Sequence, residues 1–289
     1  RQTAVGYSAG YENTTANQSA FGAYAGYQNT GNQQSVFGLN AGAFNIGASQ
    51  LAFGLNAGYQ NTGNFQTAFG FQGGRANSGD NQSVFGYFAG RDNSGQRLTA
   101  IGSEAGRSNS GDDVVALGYQ AGKNNTLANQ FIVQQANINA TPLIQGNFST
   151  GNVGIGTTSP TSRLQVDGII TPALDNTYTL GNATYRFSEV YSANGVINTS
   201  DERLKDNIED LTYGLDTIND LTPVAFSWNE NPEQGTKLGL LAQDVEEIIP
   251  EIVVTGDDPN QTKGIRYTEL IPILINAIQE LSSQVAALS

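Results

Sequence analysis

The sequence predicts a mostly β protein in three parts: a repetitive β-solenoid or β-roll rod, a β-rich shaft, and a small α+β module ending in a coiled-coil helix. Three observations carry that prediction. A sixteen-residue unit recurs eight times and fills residues 1–128. Residues 129–199 lose the period but keep short apolar runs between turn residues. Over residues 200–289 the pattern turns helical and strongly acidic.

In the rod, one glycine column reads Gly6, Gly22, Gly38, Gly54, Gly70, Gly86, Gly102 and Gly118, a second follows four residues later, and an asparagine column runs from Asn13 to Asn125. Self-similarity at a short fixed period means that each unit is one rung, which must stack on its neighbours to bury its apolar side. The apolar run before each first glycine, as in Ala20-Phe21, is too short for a helix, and two nearby glycines oppose one. Each unit is therefore expected to supply one or two short strands joined by tight turns. Asn-Thr-Gly and Asn-Ser-Gly are expected at the corners, where Asn tolerates the left-handed region and Gly takes positive φ. At roughly 4.8 Å per rung, the eight rungs make a rod of about 38 Å. Its thin core is expected to hold the column from Val5 and Phe21 through Phe85 to Ile101 and Leu117, alone or with matching columns of other chains.

Composition narrows the function classes. The chain has no Cys, His or Met, which excludes zinc fingers, haem sites, disulfide frameworks and histidine-based triads, so no cofactor or metal is expected. The net charge of −13 divides unevenly: residues 1–199 hold 8 basic and 9 acidic side chains, and residues 200–289 hold 5 and 17. With no basic stripe to neutralise phosphates, nucleic acid is not an expected partner. No run of eighteen apolar residues and no basic-then-apolar leader is present, so membrane insertion is not expected either. Opening mid-repeat at Arg1, the chain reads as a fragment.

The shaft carries β-like runs at Phe131-Ile132-Val133, Val153-Gly154-Ile155 and Arg163-Leu164-Gln165-Val166, separated by turn signals at Gly151, Ser159-Pro160, Asp167-Gly168 and Gly181. Strands this short make no stand-alone sandwich, and their edges pair with another chain. The phrases GNVGIGTTSPTSRLQVDG and TLGNATYRFSEVYSANGVINTSDERLK resemble the shaft-to-tip junctions of trimeric phage tail fibres and similar adhesins. Residues 129–199 are accordingly read as a trimer-dependent shaft.

Four blocks follow in order over about 90 residues: SDERLKDNIEDL at 200–211, Pro223 to Trp228, GLLAQDVEEIIPEIV at 239–253, and YTELIPILINAIQEL at 267–281. Together they resemble the endosialidase-type intramolecular chaperone domain of phage tail spikes and fibres. The resemblance implies a homotrimer whose C-terminal domain drives folding of the fibre upstream and then cuts itself off. It also implies an extracellular setting, on a virion tail or phage-tail-like particle, with an upstream fibre or baseplate component as partner. In that family a Ser and a Lys five residues later form the catalytic dyad, here Ser200 and Lys205. The assignment suits a chain without histidine, because a serine hydroxyl needs a base to take its proton and a lysine in its neutral form serves as one. Asp201 and Asn207 are candidates for orienting the dyad. Read from the residues alone, Ser200 or Asp201 instead caps a helix starting at Glu202.

In the tail, a helix is expected over 267–288, with Ile271, Leu274, Ile278, Leu281, Val285 and Leu288 forming an a/d seam. Ile or Val at a with Leu at d favours two strands, whereas the family implies three. Leu270 and Ile275 widen the apolar face, and the reading sides with three. A single amphipathic helix packed on its own domain is the alternative.

Aromatics decorate the rod at Tyr7, Phe71, Tyr87 and Tyr119 and at Tyr11, Tyr27 and Tyr59, and the last column becomes basic at Arg75, Arg91, Arg107 and Lys123. Rings that stack on sugars and a ladder that meets acidic polysaccharide make a host cell-surface glycan or receptor a candidate partner. Packing between rungs is the competing role. A glycan depolymerase needs paired carboxylates, and Glu12, Asp80, Asp92, Glu104, Asp112 and Asp113 show no such clustering. A bacterial surface adhesin is the other alternative to a tail fibre.

Overall fold

The computed structural model describes residues 1–14, 16–135 and 141–288. The chain divides into two compact units, Arg1–Thr171 and Pro172–Ser289. In the first, each of the eight repeats contributes one four-residue strand, β1 Gln2–Val5, β2 Gln18–Phe21, β3 Gln34–Phe37, β4 Gln50–Phe53, β5 Gln66–Phe69, β6 Gln82–Phe85, β7 Leu98–Ile101 and β8 Val114–Leu117, and β9 Gln130–Val133 follows just past them. Successive strands pair in parallel with the register of the repeat, as in Ala20 opposite Val36 and Phe21 opposite Phe37. The outcome is a β-solenoid of sixteen-residue coils. The sheet continues past the repeats through β10 Ile144–Asn147, antiparallel to β9, then β11 Asn152–Ile155 and β12 Leu164–Val166, giving twelve strands in sequence order.

The interior differs from the expectation. In each Gln-Ser-Ala-Phe strand the Gln and the Ala or Val point inward and the Phe points out. Ala20, Val36, Ala52, Ala68, Val84, Ala100 and Ala116 are buried, together with Ala25, Ala41, Ala57, Ala89, Ala105 and Ala121 from the facing wall. The reason is space. A Cβ placed on Gly42 would lie 2.5 Å from Val36 Cγ1, so the lumen admits Ala or Val against Gly but no ring. Excluded from the interior, Phe21, Phe37, Phe53, Phe69 and Phe85 form an outer ladder with centroids 4.4–5.0 Å apart and nearly parallel planes.

The asparagine column is also inside rather than at a left-handed corner. Asn29, Asn45, Asn61, Asn77, Asn93 and Asn109 are buried, and the column hydrogen-bonds up the rod, Asn93 to Asn77 at 3.1 Å and Asn109 to Asn93 at 2.9 Å. Buried glutamines complete the network, Gln34 Nε2 donating to Asn29 Oδ1 at 3.1 Å and to the Gly47 carbonyl at 3.0 Å. Neighbouring rungs satisfy many of these buried amides, while Asn45 Nδ2 and the Oε1 atoms of Gln50, Gln66 and Gln82 are buried without a partner. The left-handed corners fall instead on four other columns of each coil, the second glycine column and three non-glycine ones, as in Gly42, Asn40, Phe44 and Ser49 with φ of 60°, 56°, 56° and 58°. The first glycine column has its own necessity: Gly54 takes φ +132°, and a Cβ there would sit 2.5 Å from the Gly70 carbonyl oxygen.

The second unit begins with a long stretch, residues 172–199, that contains neither helix nor strand. It then builds two hairpins, β13 Val224–Phe226 with β14 Lys237–Gly239 and β15 Val253–Thr255 with β16 Lys263–Ile265. Three helices accompany them, α1 Leu215–Asp220, α2 Ala242–Ile248 and α3 Leu270–Ala287. Val245, Ile249, Ile252, Leu270 and Ile273 form the core, with Tyr213, Ile218 and Leu221 packed against it. Helix α3 tolerates Pro272 because it stands in the first turn, where the missing N–H has no helical partner. Its carboxylate Glu280 accepts from Leu215 N at 2.7 Å, and Asn276 donates to the Tyr213 carbonyl at 2.9 Å, tying α3 to the start of α1.

Helix α3 presents two faces. Leu270, Ile273 and Ala277 are buried in its own module, so Leu270 does not widen the seam as expected. Ile271, Leu274, Ile278, Leu281, Val285 and Leu288 remain 44–88% exposed, and Ile275 is exposed beside them. By length and composition alone, Tyr267–Ala287 is long and apolar enough to cross a membrane, a property that its interspersed Asn, Gln and Ser residues hide from a search for unbroken apolar runs.

Candidate functional site

Ser200 and Lys205 flank a single 3-10 turn, Glu202–Leu204. Asp201 is its N-cap, the carboxylate accepting from Arg203 N at 3.0 Å, and the Lys205 N–H closes the turn on the Glu202 carbonyl at 3.0 Å. The turn shortens the path between the two side chains, and Lys205 Nζ reaches Ser200 Oγ at 2.8 Å. The cap and the dyad geometry therefore coexist: Asp201 holds the turn, which frees Ser200 to meet Lys205.

Asp201 does not turn toward the dyad. It pairs with Arg203, whose guanidinium hydrogen bond and backbone N–H hold the carboxyl below the usual carboxylate range. Asn207 sits in the left-handed region with φ 51°, its backbone N–H donating to Asp206 Oδ1 at 2.9 Å. Both dyad side chains are exposed in the single chain.

Two features of the second unit escape a reading of the sequence. An apolar groove of about 360 Å³ lies between α1, β14 and α3, lined by Ile218, Leu221, Leu238, Leu240, Leu270 and Leu274. Its signal was the apolar residues Leu221 and Leu238 to Leu241, unassigned to any face because the strand there is only three residues long. The other feature is the run of exposed apolar side chains at the start of the second unit. Leu180, Tyr191, Val196 and Ile197 are 78–94% exposed.

On the rod, the basic column is largely neutralised by its neighbours. Arg75 lies over the Tyr59 ring, Arg91 pairs with Asp92, and Glu104 accepts from both Lys123 at 2.6 Å and Arg107 at 2.9 Å. Lys123 above all, and Arg107 with it, hold Glu104 below its ordinary value. Packing between rungs is the role the structure gives these cations. Among the described residues, no group of three or more acidic, His or Cys side chains could hold a metal.

In comparison with known families, residues 200–254 match the family described as Chaperone of endosialidase. Neither the curated proteins nor the solved structures yield a match. The matched stretch opens on Ser200 and takes in Lys205, α1, the first hairpin and α2. C-terminal to its β-solenoid, the chain thus carries a stretch, residues 200–254, that is similar to the endosialidase chaperone family.

Proposed function

We propose that the chain is a homotrimeric fibre protein of a phage tail or phage-tail-like particle, whose C-terminal module brings three chains together and then cuts itself away with Ser200 and Lys205. The observation that carries this reading is the 2.8 Å approach of Lys205 Nζ to Ser200 Oγ at the first residues of the chaperone match. In the reaction, Ser200 Oγ forms a bond to the carbonyl carbon of the adjacent peptide as neutral Lys205 takes the hydroxyl proton. The C–N bond breaks, the proton passes to the leaving amine, and water hydrolyses the resulting ester to a carboxylate and a restored hydroxyl.

Association of identical chains is supported by what one chain leaves uncovered. None of the twelve strands carries a charged residue, and the outward side of the sheet shows the phenylalanine ladder beside Ser and Thr. The segment 172–199 exposes nearly all its large apolar side chains, as does the seam of α3. A host-surface glycan is the proposed ligand of the rod, supported by the exposed Tyr7, Tyr11 and Tyr87 rings. The test is the mass of boiled chains of wild type, Ser200→Ala and Lys205→Ala, with the unboiled oligomer size. Cleavage near residue 200 in the wild type alone, with a trimeric rod, is the expected result. Three intact chains would leave the module as a folding clamp without peptidase activity.

A further inference from the structure

The apolar groove beside α3 has a specific position on the helix wheel. With Ile271, Ile278 and Val285 at a and Leu274, Leu281 and Leu288 at d, the groove walls Leu270 and Leu274 occupy g and d, and the exposed Ile275 occupies e. Groove and Ile275 therefore lie on opposite flanks of one seam. In a parallel coiled coil the g flank of one helix faces the e flank of the next, whereas an antiparallel pair sets e against e and g against g.

We infer that the groove is the socket for a second copy of this chain: Ile275 of one copy fills the cavity formed by Leu221, Leu238 and Leu274 of its neighbour, in a parallel, head-to-tail ring. The inference rests on the proposed association of identical chains and adds its contact, its direction and its closure. Charge agrees with it. The groove lining is apolar throughout, and the only charged side chain of α3, Glu280, is engaged with Leu215 and Asn276 of its own chain. Area agrees as well. Seven large apolar side chains of the helix stand 44–88% exposed, and at on the order of 100 Å² apiece they approach the roughly 800 Å² that each partner gives to a stable interface. Because socket and plug are different surfaces, the interface is heterologous, and a closed ring satisfies every copy.

The absence of cysteine makes the test selective. Leu238→Cys and Ile275→Cys are introduced together into full-length Ser200→Ala chain, which is oxidised and run without reductant. The expected product is a covalent ring whose size counts the copies, while either single substitution leaves unlinked chains. Native size is measured in parallel. An oligomer of normal size without the cross-link overturns the socket and leaves association standing. Covalent dimers from Ile275→Cys alone mean an antiparallel pair and overturn it too. A monomer overturns both readings, and sedimentation of that monomer with phosphatidylcholine vesicles would assign the apolar helix to lipid instead.

Discussion

Glu104 is where residue-scale chemistry holds adjacent coils together, since Arg107 belongs to its own coil and Lys123 to the next. Its depressed pKa means that this contribution is present above the ordinary carboxylate range and is lost as pH falls through the lower, folded value. Acidification from about pH 7 to pH 3 should therefore loosen these coils, and Glu104→Gln should make the acid limb of a thermal-melt series shallower. Near neutrality the substitution should cost no more than about 1 kcal/mol, because the cluster is partly solvated. A steeper acid limb in the variant would show that Glu104 is better bound when protonated. At this scale the approach of Lys205 to Ser200 was legible only through resemblance. Ser200 and Lys205 are five apart, a separation that brings no two side chains together in a strand and needs the 3-10 turn at Glu202–Leu204 to do so. The capping signal at Asp201 was legible on its own terms, because a short acidic side chain before a turn has few other uses.

Strand orientation is the element-scale lesson. Period, strand position and stacking register all followed from the sixteen-residue repeat. The inward side of each strand did not, because a four-residue strand offers two alternations of equal quality and the larger residue suggested the core. The narrow gap between the Val36 and Gly42 columns decides it for Ala and Val. Ala52→Leu should thus lower coil stability by about 1–3 kcal/mol through overpacking. Phe53→Ser should leave the far-UV circular dichroism of the coils intact and weaken chain association instead. Loss of the β signal in Phe53→Ser would return the aromatic column to the interior. The buried Asn and Gln columns were misassigned for a related reason. Their spacing marks a corner in an isolated turn, but a neighbour on either side supplies the partners that let an amide face inward.

For the whole molecule, the division into a nearly neutral repetitive part and an acidic C-terminal part was legible in the charge count, and the helix over 267–288 in its heptads. The groove was not, since it is made by three elements distant in sequence. The repeated backbone bonds of the rod have one more consequence. Each coil meets its neighbours through the same pattern, such as Gly38 N to Phe21 O and Gly42 N to Ala57 O, and Gly54 N to Phe37 O one rung on. Removing residues 50–65 should consequently shorten the rod by about 4.8 Å and rejoin identical surfaces, whereas removing one residue fewer turns every later side chain to the wrong side of the wall. Scattering profiles of the two deletions would separate a shorter rod from an unfolded one. Genetically, the solenoid behaves as a ruler graduated in single rungs: unequal recombination between its repeats resets the length of the rod while the sequence of the C-terminal module stays untouched.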